Sequence, residues 1–172
     1  MSATVPGRAC GTCMMCCKVL AISAEEMTKP PGVWCRHAVV GKGCGIYETR
    51  PSVCRIFYCQ WMVDQSFPLE WKPDRSKLVI VIGEKQIDIN VDHNHPDVWT
   101  KPPYLAAIQR WAVESAAIGR LVLVRIGARA IAVLPGRTVE LGRVEPSDRI
   151  TLLQAQGPMG PLYDVRIEPR AP

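Results

Sequence analysis

A chain of 172 residues can bury a core of its own, and 48% hydrophobic with 22% charged residues excludes a wholly disordered polymer. The first residues lack the apolar run of a secretory signal, and no later stretch reaches the roughly 18 apolar residues of a membrane span, so the sequence predicts a cytoplasmic protein with no membrane partner. The net charge is +5, and residues 1 to 59 hold seven Lys or Arg against three Glu, an excess that reads as counter-charge for thiolates or as a surface for phosphate.

Residues 1 to 9 are small and turn-prone and read as a mobile lead-in. Then come all eight cysteines of the chain: Cys10, Cys13, Cys16, Cys17, Cys35, Cys44, Cys54 and Cys59, with none in the 113 residues that follow. Disulfides rarely persist in a reducing compartment, so such crowding points to metal or redox work. Thiolates are soft ligands suited to zinc, copper(I) or iron–sulfur clusters, and a C-x₂-C spacing can turn two sulfurs toward one centre. The steps of three at Cys10, Cys13 and Cys16 resemble the first three ligands of a bacterial ferredoxin run, although its C-x₃-C-P element is missing. Side chains at the adjacent Cys16 and Cys17 diverge in most backbone geometries, which assigns them to two centres or to two metals of one binuclear centre. A zinc ion held by four thiolates carries a net charge of about −2, so two such centres offset the basic excess.

Val19 to Ile22 reads as a short strand. Ser23 and Glu26 have the spacing of an N-cap and its capping-box partner, so a helix is predicted there, ended by Pro30-Pro31-Gly32. Gly41, Gly43 and Gly45 around Cys44 let the backbone fold close to sulfur and offer it N–H groups. Pro51 suits a first helical turn, and Val53, Phe57 and Trp61 recur at steps of four, predicting a helix over 51–62. On such a helix Cys54 and Cys59 lie about 140° apart and cannot share an ion unless the helix breaks.

The order C-x₂-C-x₂-C-C, a later Cys, then Gly43-Cys44, Ile46-Tyr47-Glu48, Arg50-Pro51 and Cys54-Arg55 resembles the YkgJ-type CxxCxxCC cysteine-cluster family, described as zinc- or iron-chelating domains. The resemblance covers about the first 60 residues and implies a metal-binding module. One departure is Met14-Met15, where relatives carry a glycine between the second and third cysteines; the methionines read as shielding for the site, with thioether ligation as the alternative.

Residues 64–77 are polar, contain Pro68 and Pro73, and read as a connector. Leu78–Gly83 and Gln86–Val91 read as strands joined through Gly83-Glu84-Lys85. His93 and His95 sit in a loop of turn-forming residues, a bland alternative that outweighs a metal role. Pro102-Pro103 opens an amphipathic helix carrying Tyr104, Leu105, Ile108, Trp111, Ala112, Ser115 and Ile118, closed at Gly119. Strands follow at 121–126, 129–134 and 138–141, with further ones at 150–154 and 163–167, then a loose tail over 169–172. The predicted class is α+β: a small Cys-rich metal-bound module at 1–75, then at 76–172 an antiparallel β meander with one amphipathic helix, packed with the first part or separate from it. No Walker loop, nucleophile elbow or dinucleotide fingerprint is present.

Three functions compete on the sequence. The first is a protein chelating zinc, or iron, through its eight cysteines. The second is an iron–sulfur protein with a [4Fe-4S] cluster in electron transfer or redox catalysis. The third is a zinc-stabilised module that binds nucleic acid or an acidic protein partner, disfavoured by an aromatic content of 6% and the lack of a basic–aromatic stripe. Enzymatic activity stays open, with His37 and Glu48 as the candidate acid or base nearest the cysteines in sequence.

Overall fold

Leu78-Val79-Ile80-Val81-Ile82 and Leu121-Val122-Leu123-Val124 are near-continuous apolar runs, the pattern of strands covered on both faces. Both become strands of a five-stranded sheet in the computed structural model, which describes residues 4–145 and 147–169. The sheet has the order β5-β6-β7-β8-β9, formed by Leu78–Ile82, Gln86–Val91, Leu121–Ile126, Arg129–Leu134 and Arg137–Arg143. Four shorter strands precede it: β1 (Ile22–Ala24), β2 (Met27–Lys29), β3 (Ala38–Val39) and β4 (Gly43–Cys44), paired as two small hairpins. A last hairpin, β10 (Arg149–Gly157) with β11 (Gly160–Glu168), follows the sheet. The protein is thus α+β with mainly antiparallel strands.

One pair departs from the expected meander. β6 and β7 run parallel, with Gln86 opposite Leu121 and Val91 opposite Ile126. Parallel neighbours need a crossover connection, and the predicted helix supplies it: α5 (Tyr104–Ala117) lies between the two strands in sequence. Tyr104, Ile108, Ala112, Ser115 and Ala116 are its buried face, while Ile118, placed on that face by the periodicity, falls past the helix end and is 70% exposed. Gly119 takes a positive φ of 71° there, which closes the helix.

Alternation along the strands separates two sets of buried side chains. Leu78, Ile80, Ile89, Val91, Val122, Val124, Ile131 and Val133 pack in one cluster with Ile108 and Ala112 of α5 and with Trp61, Met62, Phe67 and Trp71. Leu121, Leu123, Ala132 and Leu134 form a second cluster, against which Ile150, Leu152, Tyr163 and Val165 of the last hairpin pack. Residues on both sides of position 76 therefore share one core. The stretch 64–77, expected to be a connector, carries a 3₁₀ turn at Leu69–Trp71 and a helical turn α4 (Pro73–Ser76), and buries Phe67, Trp71 and Ser76. Trp71 meets Tyr104 edge-on at 4.8 Å between ring centroids and Trp111 at 5.1 Å, so both aromatic residues of α5 serve packing.

The cysteine segment straddles edge strand β5. Met15 and Val19 of α1 (Met15–Val19) pack on Val79, whereas Trp61 and Met62 of α3 (Gln60–Val63) pack in the cluster that holds Leu78 and Ile80. Buried Lys18 of α1 reaches Asp92, just past β6, at 2.5 Å. The lead-in is held as well. Val5 N–H donates to the Met62 carbonyl at 2.8 Å, and the Arg8 guanidinium donates to the carbonyls of Trp61, Asp64, Gln65 and Phe67. Residues 1–3 of that lead-in, and 170–172 of the expected loose tail, lie outside the described residues.

Candidate metal centre

Three local predictions fail around the cysteines, and each failure helps to place a sulfur. Val19 ends α1 instead of opening a strand. Ser23 and Glu26 do not cap a helix of their own, because Ile22–Ala24 and Met27–Lys29 pair as an antiparallel hairpin. Glu26, in its turn, instead accepts from the Ser52 N–H at 3.0 Å and the Ser52 hydroxyl at 2.8 Å, which caps the start of α2 (Ser52–Ile56), the helix of Cys54. The continuous helix expected over 51–62 breaks after Ile56: Phe57 and Cys59 are extended, and the chain restarts as α3 at Gln60. Cys59 thus stands at the entry to α3 and not on the helix of Cys54.

Cys10 and Cys13 sit on a tight turn in which the Cys13 N–H donates to the Cys10 carbonyl at 2.9 Å, with Gly11 at a positive φ of 55°. Cys16 and Cys17 are on α1. Cys35 is tied to them by its N–H, which donates to the Cys17 carbonyl at 2.9 Å. Cys44 is on β4, brought against the first turn because Gly43 leaves room: a Cβ there would stand 3.1 Å from the Gly11 carbonyl oxygen, and its φ is 102°.

All eight sulfurs are free thiols, and all eight cysteines line one cavity of about 180 Å³. Apolar side chains, among them Leu20, Ile22, Val53, Phe57 and Met62, form much of its wall. Among the described residues, no three His, Cys, Asp or Glu side chains converge on a point at the distance that holds a single ion. The thiols are gathered in one chamber without being drawn onto one ion.

Electrostatics shows which thiols feel one another. Burial pushes the Cys59 thiol up to about 11, with the Cys10 and Cys13 charges adding to the rise. Burial also raises Cys54, where the added charges are those of Cys17, Cys35 and Cys44. The adjacent Cys16 and Cys17 thiols interact: Cys17, with burial and the Cys13 and Cys10 charges, raises Cys16, while Cys16, with the Lys29 and Arg50 charges, lowers Cys17 to about 7. Cys59 thus stands near Cys10 and Cys13, and Cys54 near Cys17, Cys35 and Cys44, while Cys10 also feels the Cys17 charge and Cys16 interacts with Cys17, so the eight thiols form one interacting group.

Sequence reasoning missed the cations. Lys29 is buried, and its ammonium donates to the carbonyls of Lys18 (3.1 Å), Pro30 (3.0 Å) and Val33 (2.6 Å). Burial lowers its pKa, opposed by the Cys35, Cys17 and Cys16 charges. Arg50 and Lys72 line the cavity itself. The signal was there: the basic excess of the first 59 residues reads as thiolate counter-charge, but which cation turns inward depends on the fold. Met27 and Met62 line the cavity, whereas Met14 and Met15 do not and are buried elsewhere, Met15 against Val79, so their role is packing. His37 lines the cavity and accepts from the Arg36 Nε at 3.1 Å; Glu48 is exposed and outside the cavity lining. His93 and His95 are exposed in the loop after β6, with His95 Nδ1 3.5 Å from Asp92.

The arginines of the five-stranded sheet are paired with acids: Arg125 with Asp88, Arg129 with Glu140, Arg137 with Asp164 and Arg143 with Glu145. Among the described residues no helix is long and apolar enough to cross a membrane. No family model, curated protein or solved structure matches the chain.

Proposed function

We propose that this chain is a metal-binding protein that chelates zinc or iron through its eight cysteines. The observation that carries this is the meeting of eight unpaired thiols, spread over fifty positions of sequence, in one cavity. Burying that many ionisable sulfurs beside one another is unfavourable, since most of them are pushed upward by burial and by one another. A bound cation reverses the sign of that interaction, and structural thiolate sites of this kind contribute on the order of 10 kcal/mol to folding. The resemblance to the CxxCxxCC cysteine-cluster family points the same way.

A sulfide-bridged iron cluster is the second reading, favoured by the spread of the sulfurs. Four thiolates on one zinc at about 2.3 Å stand roughly 3.8 Å apart. A bridged cluster lies between its cysteines and keeps them wider, and among the described residues no three of these side chains converge at the distance of a single ion. The residues fit either group by their donor chemistry: soft sulfur ligands, cations behind them and an apolar wall.

Elemental analysis of protein purified anaerobically and without chelators, with its visible spectrum, tests the reading. At least one zinc or iron per chain is expected. A colourless zinc protein selects the first form and a broad absorption near about 400 nm the second. Metal-free protein would overturn both.

A further inference from the structure

Lys29 ends β2, and from there the chain crosses a strap over residues 30–34 to reach Cys35. Its side chain turns inward: the residue is 6% exposed, and its ammonium donates to the carbonyls of Lys18, Pro30 and Val33 at 3.1, 3.0 and 2.6 Å. An ammonium has three N–H donors and no acceptor, so these three bonds use all of them. None is left for a sulfur. Burying a cation is unfavourable, and an apolar side chain would fill the same space without that penalty, so the carbonyls gathered around Lys29 are what its charge is for.

The carbonyls belong to two different pieces of chain. Lys18 follows Cys17 in α1, and Val33 stands two residues ahead of Cys35. Next to this tie the Cys35 N–H donates to the Cys17 carbonyl at 2.9 Å, so the two backbones run in contact, and both cysteines line the same cavity. The strap is seated from its other side too. Gly32 has a positive φ of 78°, and a Cβ there would stand 3.3 Å from His93 Nδ1 and 3.6 Å from the Gly127 Cα.

We propose that Lys29 is a positioning residue of the metal centre: its ammonium ties the strap over 30–34 to α1 and thereby presents Cys35 beside Cys17 as neighbouring ligands of one metal. The role rests on the reading of the cavity as a metal centre. Lys29 touches neither sulfur nor metal in this role and acts through the backbone that carries the two thiols. Groups that orient metal ligands from behind are typically worth about 10–100-fold in metal affinity.

Wild type, Lys29→Met and Lys29→Gln are compared as full chains in two measurements: alkylation rates of each thiol in the metal-free protein, and zinc affinity with the cobalt(II)–thiolate absorption after uptake. Lys29→Met keeps the length of the side chain and removes all three donors. Alkylation of Cys35 and Cys17 should speed up by about tenfold or more, the worth of one hydrogen bond from a charged donor, while Cys13 and Cys59, on other segments, stay within about twofold. Zinc affinity should fall by about 10–100-fold and the cobalt absorption should change. Lys29→Gln keeps an amide donor and should fall between, and it decides the matter if Lys29→Met does not fold. Wild-type rates at Cys35 and Cys17, or an equal rise at all eight thiols, would overturn the local role of Lys29. Selective loosening with wild-type zinc affinity and cobalt absorption would overturn the pairing of Cys17 with Cys35 on one metal. A wild type that takes up neither ion would remove the metal reading, while the alkylation rates would still report whether Lys29 holds Cys35 in place.

Discussion

Lys18 and Asp92 decide where the cysteines stand. The pair is 2.5 Å apart with both side chains buried, and Lys18 follows Cys16 and Cys17 directly in α1, so the bond fixes that helix against the end of β6. Removing one partner leaves an uncompensated buried charge: Asp92→Asn or Lys18→Met should cost about 3–5 kcal/mol in urea unfolding, while the double variant with Asp92→Leu should recover part of that loss. Burial pushes the Asp92 carboxyl up, but the Lys18 ammonium and the Asn94 N–H outweigh it and hold the pKa below the ordinary value of 3.8. A folded pKa below the unfolded one means that the pair stabilises fully above the unfolded value and less as pH falls through the folded one. Wild type should therefore lose stability below about pH 4, and Asp92→Asn should lack that component of the acid transition. An acid profile that is the same in both proteins would contradict this assignment.

Short elements do the positioning around the sulfurs, and they show how far local pattern can be read. The strands β5, β7 and β8 were legible as apolar runs next to Gly or Pro, and β6 as a strict alternation of apolar and polar residues. The helix at Tyr104 was legible from its steps of four, but its length already sufficed for a crossover, and the parallel β6–β7 pair follows from that. The Ser23–Glu26 spacing satisfies a capping box locally, yet the Glu26 carboxylate finds a better donor pair twenty-six residues away, at Ser52. Glu26→Ala should cost about 1 kcal/mol of stability, the usual worth of a cap, and should loosen Cys54 more than Cys10; rates of thiol alkylation, read site by site in the metal-free protein, check this. Val53, Phe57 and Trp61 fit one helix as well as two, and it is packing that separates them: Phe57 lies against Val79's cluster and Trp61 in the main core. On α5, Ile108 is fully buried, and Ile108→Ala should cost about 2–5 kcal/mol without changing which thiols react.

Across the whole molecule the two halves differ in what holds them. The five-stranded sheet, α5 and the last hairpin bury continuous apolar clusters, whereas β3 and β4 have two residues each and contribute little to those clusters beyond the chain they share with it. Metal removal should therefore loosen residues 10–59 first: hydrogen exchange there should speed up on chelation while amides of 78–134 stay protected, since local stability follows buried apolar contact. Uniform change along the chain would count against that division. That the eight cysteines gather in one place was legible from spacing and composition; where Cys59 stands was not, because it follows a helix break that Val53, Phe57 and Trp61 do not signal.

Native mass spectrometry of protein prepared without oxygen or chelator bears on the central claim most directly. The account predicts a mass above that of the bare chain by bound zinc or by an iron–sulfur unit, lost on acidification together with the protection of all eight thiols from alkylation. A bare-chain mass that stays unchanged after incubation with zinc or with ferrous iron and sulfide, with eight thiols reacting freely throughout, would contradict it.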